Sequence, residues 1–127
     1  MGLRFLKIAV VYLLIGATLG LIMGITQQFA LAPIHAHLAL LGWASLALAG
    51  LIYHFYPAAS TTRLARLHFW LHNLGLPVFM VSLGLLLTGE TWIVPLVALS
   101  ATVVLIGLAL FAANFLLNAK PAALAER

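Results

Sequence analysis

The chain has 127 residues, 65% hydrophobic and 6% charged, whereas about a quarter of the residues of a soluble domain carry charge; this excludes an ordinary soluble fold and implies a membrane protein. A helix needs roughly 20 apolar residues to cross the hydrocarbon layer, so the length admits about four crossings and no separate globular domain. Six Lys and Arg against two Asp and Glu give a formal charge of +4, but the cations are too few and too scattered to mark a nucleic-acid surface, and the absence of cysteine excludes disulfides, thiolate metal sites, iron–sulfur clusters and covalent c-type haem.

In chain order, the first predicted helix covers about residues 6–27, bounded by Arg4 and Lys7 on one side and Gln27 and Gln28 on the other. Ala30-Leu31-Ala32 resembles a signal cleavage site. The apolar stretch is longer than an h-region of about 7 to 15 residues, however, and Pro33 follows directly, so a retained helix is expected. The second helix, about 33–56, opens at Pro33, whose missing N–H has no intrahelical partner in a first turn, and stops before Pro57. Residues 58–62 form a short polar connection. The third helix, about 64–88, ends at Gly89, and the fourth, about 91–117, accepts Pro95 in its first turns. Pro121 opens a polar tail. The expected fold is therefore an all-α integral membrane protein, a single four-helix domain over residues 1–127.

Charge orients the four spans. Arg4, Lys7, Arg63, Arg66, Lys120 and Arg127 fall on the side holding both termini and the middle loop, while the two other loops carry Glu90 and no cation. The positive-inside rule puts the termini in the cytoplasm of a bacterial-type inner (plasma) membrane. Tyr53, Phe55, Tyr56, Trp70 and Trp92 lie near span ends, as interfacial anchors do. Gly16, Gly20 and Gly24 recur every four residues, a stripe that lets another helix approach, within the chain or from another copy.

Five histidines in so apolar a chain are the feature to explain, because ionisable groups inside a membrane are costly and mark functional sites. His35 and His54 are 19 residues apart, roughly 28 Å of helix, so the histidines form two groups. His35 and His37 lie at the outer end of the second helix. Residues two apart on a helix point about 200° from one another. The two therefore cannot ligate one iron together; as ligands they serve two centres, or one centre each at two interfaces of a symmetric oligomer. Imidazole is an axial haem ligand, and b-type haem needs no cysteine; hydrogen bonding at the membrane interface is the plainer explanation of the pair.

At the other end, His68 and His72 share a helix face, and with His54 they compose a possible three-imidazole zinc or copper site. Against this, His54 and His68 sit among aromatic residues at a membrane boundary, where histidine bonds to water or a helix end. His72, deeper and beside Asn73, is carried as a candidate cofactor-binding residue. Glu90 and Glu126 are isolated carboxylates, so no acid–base pair or nucleophile constellation exists and no catalytic residue is assigned.

The segment His35-Ala36-His37-Leu38-Ala39-Leu40-Leu41-Gly42-Trp43, followed by Tyr53-His54-Phe55-Tyr56-Pro57 and Arg66-Leu67-His68-Phe69-Trp70, resembles the tenth and eleventh helices of subunit I of the haem-copper oxidases, a group that includes nitric oxide reductase subunits. The resemblance implies that His35 matches the ligand of the high-spin haem and His37 that of the low-spin haem. It assigns no metal to His54 or His68 and has no counterpart for His72. The adjacent His-His pair and the His-Pro-Glu segment that accompany copper in the family are missing, so copper is not expected.

The resulting expectation is a membrane cytochrome binding non-covalent haem b through His35 and His37 and transferring electrons. Two alternatives stand beside it: a haem protein with an open iron site for oxygen or nitric oxide, and a haem-free assembly or metal-handling protein using His54, His68 and His72. Gln27, Gln28, Glu90, Trp43 and Trp92 are expected in the outer layer, within reach of haem propionates or edges, and Met80 is expected to pack. The family subunit has twelve helices in three arcs of four, so membrane lipid and two further copies of the chain, as a homotrimer with haem at the subunit interfaces, are the expected partners.

Overall fold

The computed structural model describes residues 1–120; Pro121, Glu126 and Arg127, assigned above to a polar tail, lie outside the described residues. Helix α1 spans Gly2–Thr26. It starts four residues before the apolar run because Arg4 and Lys7 are good helix formers and nothing breaks the helix ahead of them. It stops where Gln27 takes a left-handed conformation (φ 55°) and its side-chain amide donates to Gly24 O at 2.6 Å. Helix α2 covers Ala32–Phe55, with Pro33 in its first turn, and ends as Pro57 forces Tyr56 out of the helical region.

One helical turn at Pro57–Ser60 leads to α3, Arg63–Leu87, whose N-terminus is capped by Thr62 Oγ1 accepting from Ala65 N at 3.1 Å. Gly89, at φ 108°, follows the end of α3 in a conformation open to glycine. A 3₁₀ turn at Thr91–Ile93 then feeds α4, Val94–Asn118, with Pro95 in its first turn. These are four helices long and apolar enough to cross a membrane.

One feature was not expected. Helix α2 is not α-helical throughout: Leu38–Ala44 forms a π segment, in which Ser45 N reaches back five residues to Leu40 O. Such widened turns are uncommon and leave carbonyls aimed away from the helix axis. Gly42 lies within it, pressed against the Tyr12 ring of α1; a Cβ there would fall 2.7 Å from Tyr12 Cγ.

Packing joins α1 to α2 and, more extensively, α3 to α4. At the end holding Arg4, Lys7, Arg63 and Arg66, the basic end, all four helices meet around Phe5, Ala9, Leu46, Tyr53 and Ala65. Towards the Glu90 end a second cluster holds Ile34, Leu38, Leu76, Phe79, Met80 and Val104, and Met80 packs there as expected. An apolar crevice of about 360 Å³ opens between α1 and α3 over Ile34 and Leu38.

Large apolar side chains such as Leu14, Ile25, Leu85 and Leu116 face outward, a surface suited to acyl chains rather than water. The interior is the reverse of a soluble core. On α4 the buried residues are Ser100, Val104, Gly107 and Asn114, and on α3 they include His68, His72, Gly75 and Ser82. Small residues permit close helix approach, and polar ones bond across the bundle.

Candidate functional site

His35 and His37 leave α2 in opposed directions. The His35 ring turns to α1, where Nδ1 lies 2.8 Å from Gly16 O. It rests on Gly20 so closely that a Cβ at that position would come within 2.7 Å of His35 Cε1. The glycine stripe thus serves packing within the chain at Gly16 and Gly20, whereas nothing lies within 4 Å of where a Gly24 Cβ would sit. The His37 ring turns to α3 and meets Phe79 edge-on, centroids 5.1 Å apart and planes at 80°; its Nδ1 is 2.6 Å from Pro33 O.

A backbone carbonyl only accepts, so each Nδ1 carries the hydrogen, and in the neutral ring each Nε2 is left as a bare lone pair. Metal-binding histidines have this arrangement: one ring nitrogen donates to a carbonyl, which fixes the tautomer and the ring orientation and frees the other to ligate. The opposition follows from a spacing of two residues on one helical turn.

The three-imidazole arrangement is not formed. His54 is exposed and packs edge-on against its neighbour Phe55, with centroids 5.4 Å apart, while His68 and His72 are both 0% exposed. Among the described residues no group of three His, Asp or Glu is placed to hold a metal ion. The reason is register: His54 sits on the outward-facing side of α2, one residue beyond the bundle-facing Tyr53.

His68, expected at a membrane boundary, is buried inside the bundle. It is enclosed by Phe5, stacked at 5.0 Å, and by Phe111, also at 5.0 Å, and its Nδ1 is 3.1 Å from Tyr53 Oη. Tyr53, expected as an interfacial anchor, is likewise inside the bundle at 2% exposure. His72, one turn along α3, places Nε2 2.9 Å from Leu41 O in the π segment.

Asn114 of α4, not singled out from sequence, completes this layer. Its amide nitrogen lies 2.9 Å from Ala59 O and 3.5 Å from Tyr53 Oη, and its oxygen accepts from Thr62 Oγ1 at 2.8 Å and from Asn118 Nδ2 at 3.0 Å. A signal was present: Ser100, Gly107 and Asn114 recur every seven residues on α4, which in an apolar chain marks the bundle-facing stripe.

Of the other residues expected near the histidine pair, Gln27 caps α1 and Gln28 lines, with Thr26 and Thr88, a cleft of about 300 Å³. Trp92 Nε1 donates to Glu90 Oε2 at 2.7 Å on the exposed surface. Trp43 does not belong to that layer: it packs against the basic-end cluster, because it lies nearly three turns into α2. Comparison with protein-family models, with curated proteins and with solved structures found no match to the chain.

Proposed function

We propose that the chain is a b-type haem membrane cytochrome that transfers electrons, assembled as a homotrimer with its basic end in the cytoplasm. Haem iron would be held by His35 of one copy and His37 of the next. The observation that carries this reading is a paired geometry: two imidazoles on opposite faces of α2, each fixed through Nδ1 to a backbone carbonyl and each offering Nε2. Gly20 lies beneath the His35 ring and nothing lies within 4 Å of where a Gly24 Cβ would sit, and an apolar setting suits a porphyrin.

Bound there, haem iron would supply one-electron transfer, and two imidazoles per iron would leave no position for a gas. His35 and His37 themselves bind and orient. Because they diverge on one helix, each site takes its second ligand from another copy, and a closed ring of copies satisfies every site. Three copies of four helices restore the twelve of the family that the histidine segment resembles.

The optical spectrum of the purified protein tests this. A low-spin Soret band with split visible bands, unmoved by carbon monoxide, is expected; it should be abolished by His35→Ala and by His37→Ala and retained by His54→Ala. Native mass spectrometry is expected to give a trimer. A carbon monoxide shift, a full low-spin signal in His37→Ala, or a monomer after gentle extraction overturns the assignment.

A further inference from the structure

The buried pair His68 and His72 is not used by that reading and has its own chemistry. Both rings are 0% exposed, yet His68 Nε2 and His72 Nδ1 have no hydrogen-bond partner among the described residues. An unpaired polar atom costs several kcal/mol in an apolar interior, so two on adjacent turns of one helix call for a ligand. The neighbouring bonds decide which atoms carry hydrogen.

Ala59 O can only accept, so the Asn114 atom 2.9 Å away is the amide nitrogen, and the same nitrogen faces Tyr53 Oη at 3.5 Å. Tyr53 Oη therefore receives from Asn114, and the acceptor available for its own hydrogen is His68 Nδ1, 3.1 Å away. A neutral imidazole that accepts at Nδ1 donates at Nε2, so the unpaired atom of His68 is an N–H donor. On His72 the order is set from the other end. Leu41 O accepts from Nε2, which leaves Nδ1 as a bare acceptor.

One orphan is thus a donor and the other an acceptor, on rings whose centroids are 5.5 Å apart with planes at 63° and which share no direct hydrogen bond. A metal ion would need a lone pair from both nitrogens, and His68 Nε2 does not offer one in this tautomer. A group that accepts from one ring and donates to the other satisfies both, and water is the small molecule with that capacity. Buried waters characteristically bridge otherwise unsatisfied polar groups in this way.

We propose that one water molecule, bound between His68 Nε2 and His72 Nδ1, completes a directed hydrogen-bond chain inside the bundle. Every bond then runs in one direction: Asn114 to Tyr53, Tyr53 to His68, His68 to water, water to His72, His72 to Leu41 O. The water thereby links the basic-end layer to the π segment. It does not depend on haem.

Nitrogen-15 solid-state NMR of the full chain in lipid bilayers, with labelled histidine, tests it. His68 and His72 are expected as Nε2–H tautomers with hydrogen-bonded Nδ1, and the His68 Nε2 proton is expected to show a cross-peak to water that is retained with deuterated acyl chains and lost in deuterated water. In Tyr53→Phe, which removes the donor to Nδ1, His68 is expected to populate both tautomers. A His68 found as the Nδ1–H tautomer, a His68 Nε2 lacking a proton as metal ligation requires, or the absence of any water contact at that proton overturns the proposal.

Discussion

Asn114 shows how one side chain ties the helices together. Itself 0% exposed, it binds the turn after α2 through Ala59 O, the cap of α3 through Thr62, and α2 itself through Tyr53. Asn114→Leu keeps the volume and leaves those groups unpaired, a loss of roughly 1–3 kcal/mol, read as a lower midpoint in denaturant unfolding from mild detergent. Asn114→Asp keeps the acceptor oxygen but, once ionised, cannot donate to Ala59 O, so at alkaline pH it is expected to lose at least as much; full stability there would remove the donor role assigned to the amide. At this scale the sequence was informative about His35 and His37, because spacing alone sets their opposition. It misled about Tyr53 and His68. Aromatic and histidine residues near span ends are usual anchors, and with apolar residues on every face of a helix, hydrophobic periodicity no longer distinguishes the buried side. Only the rare small and polar residues do.

Among the elements, the four spans were legible to within a few residues, since apolar runs, Pro33, Pro57 and Gly89 delimit them. The π segment was not, because its stabilising partner comes from 31 residues further along: His72 Nε2 takes up Leu41 O, and Tyr12 fits against Gly42. A π turn holds one residue more than the α-helix it interrupts. Deleting Leu40, which faces outward at 62% exposure, is therefore expected to restore regular α-helix while keeping His35 and Tyr53 on their present faces. Helical content by circular dichroism should be unchanged. Leu41 O would return to its own helix, and stability should fall by about the worth of one interhelical bond, of order 0.6–1.7 kcal/mol. The decisive readout is a double-mutant cycle with His72→Leu: the cost of that substitution should shrink in the deletion background. An unchanged cost would show that the widened turn is not what supplies the acceptor.

For the whole molecule, composition and chain direction act together. Helices α1 and α2 pack as one hairpin and α3 and α4 as another, and the two are joined at the basic end by the layer of Phe5, Tyr53, His68 and Asn114. Towards the other end α1 and α3 separate around their crevice. The polar layer and the cations thus share one end, while His35 and His37 occupy the other, which carries Glu90 and no described cation. If the charges orient the chain, the histidine pair lies near the non-cytoplasmic surface and the His68–His72 layer near the cytoplasmic one. The chain has no cysteine, so single thiols report position without background. Gln28 and Thr61 are both exposed, at opposite ends. In intact spheroplasts, a membrane-impermeant thiol reagent is expected to label Gln28→Cys and to leave Thr61→Cys unlabelled until the membrane is opened. The reverse pattern would invert the molecule and place the histidine pair on the cytoplasmic side. Labelling of both sites at once would mean that the six Lys and Arg do not set one orientation, and the homotrimer, which needs all copies aligned to share ligands between α2 helices, would fail with it.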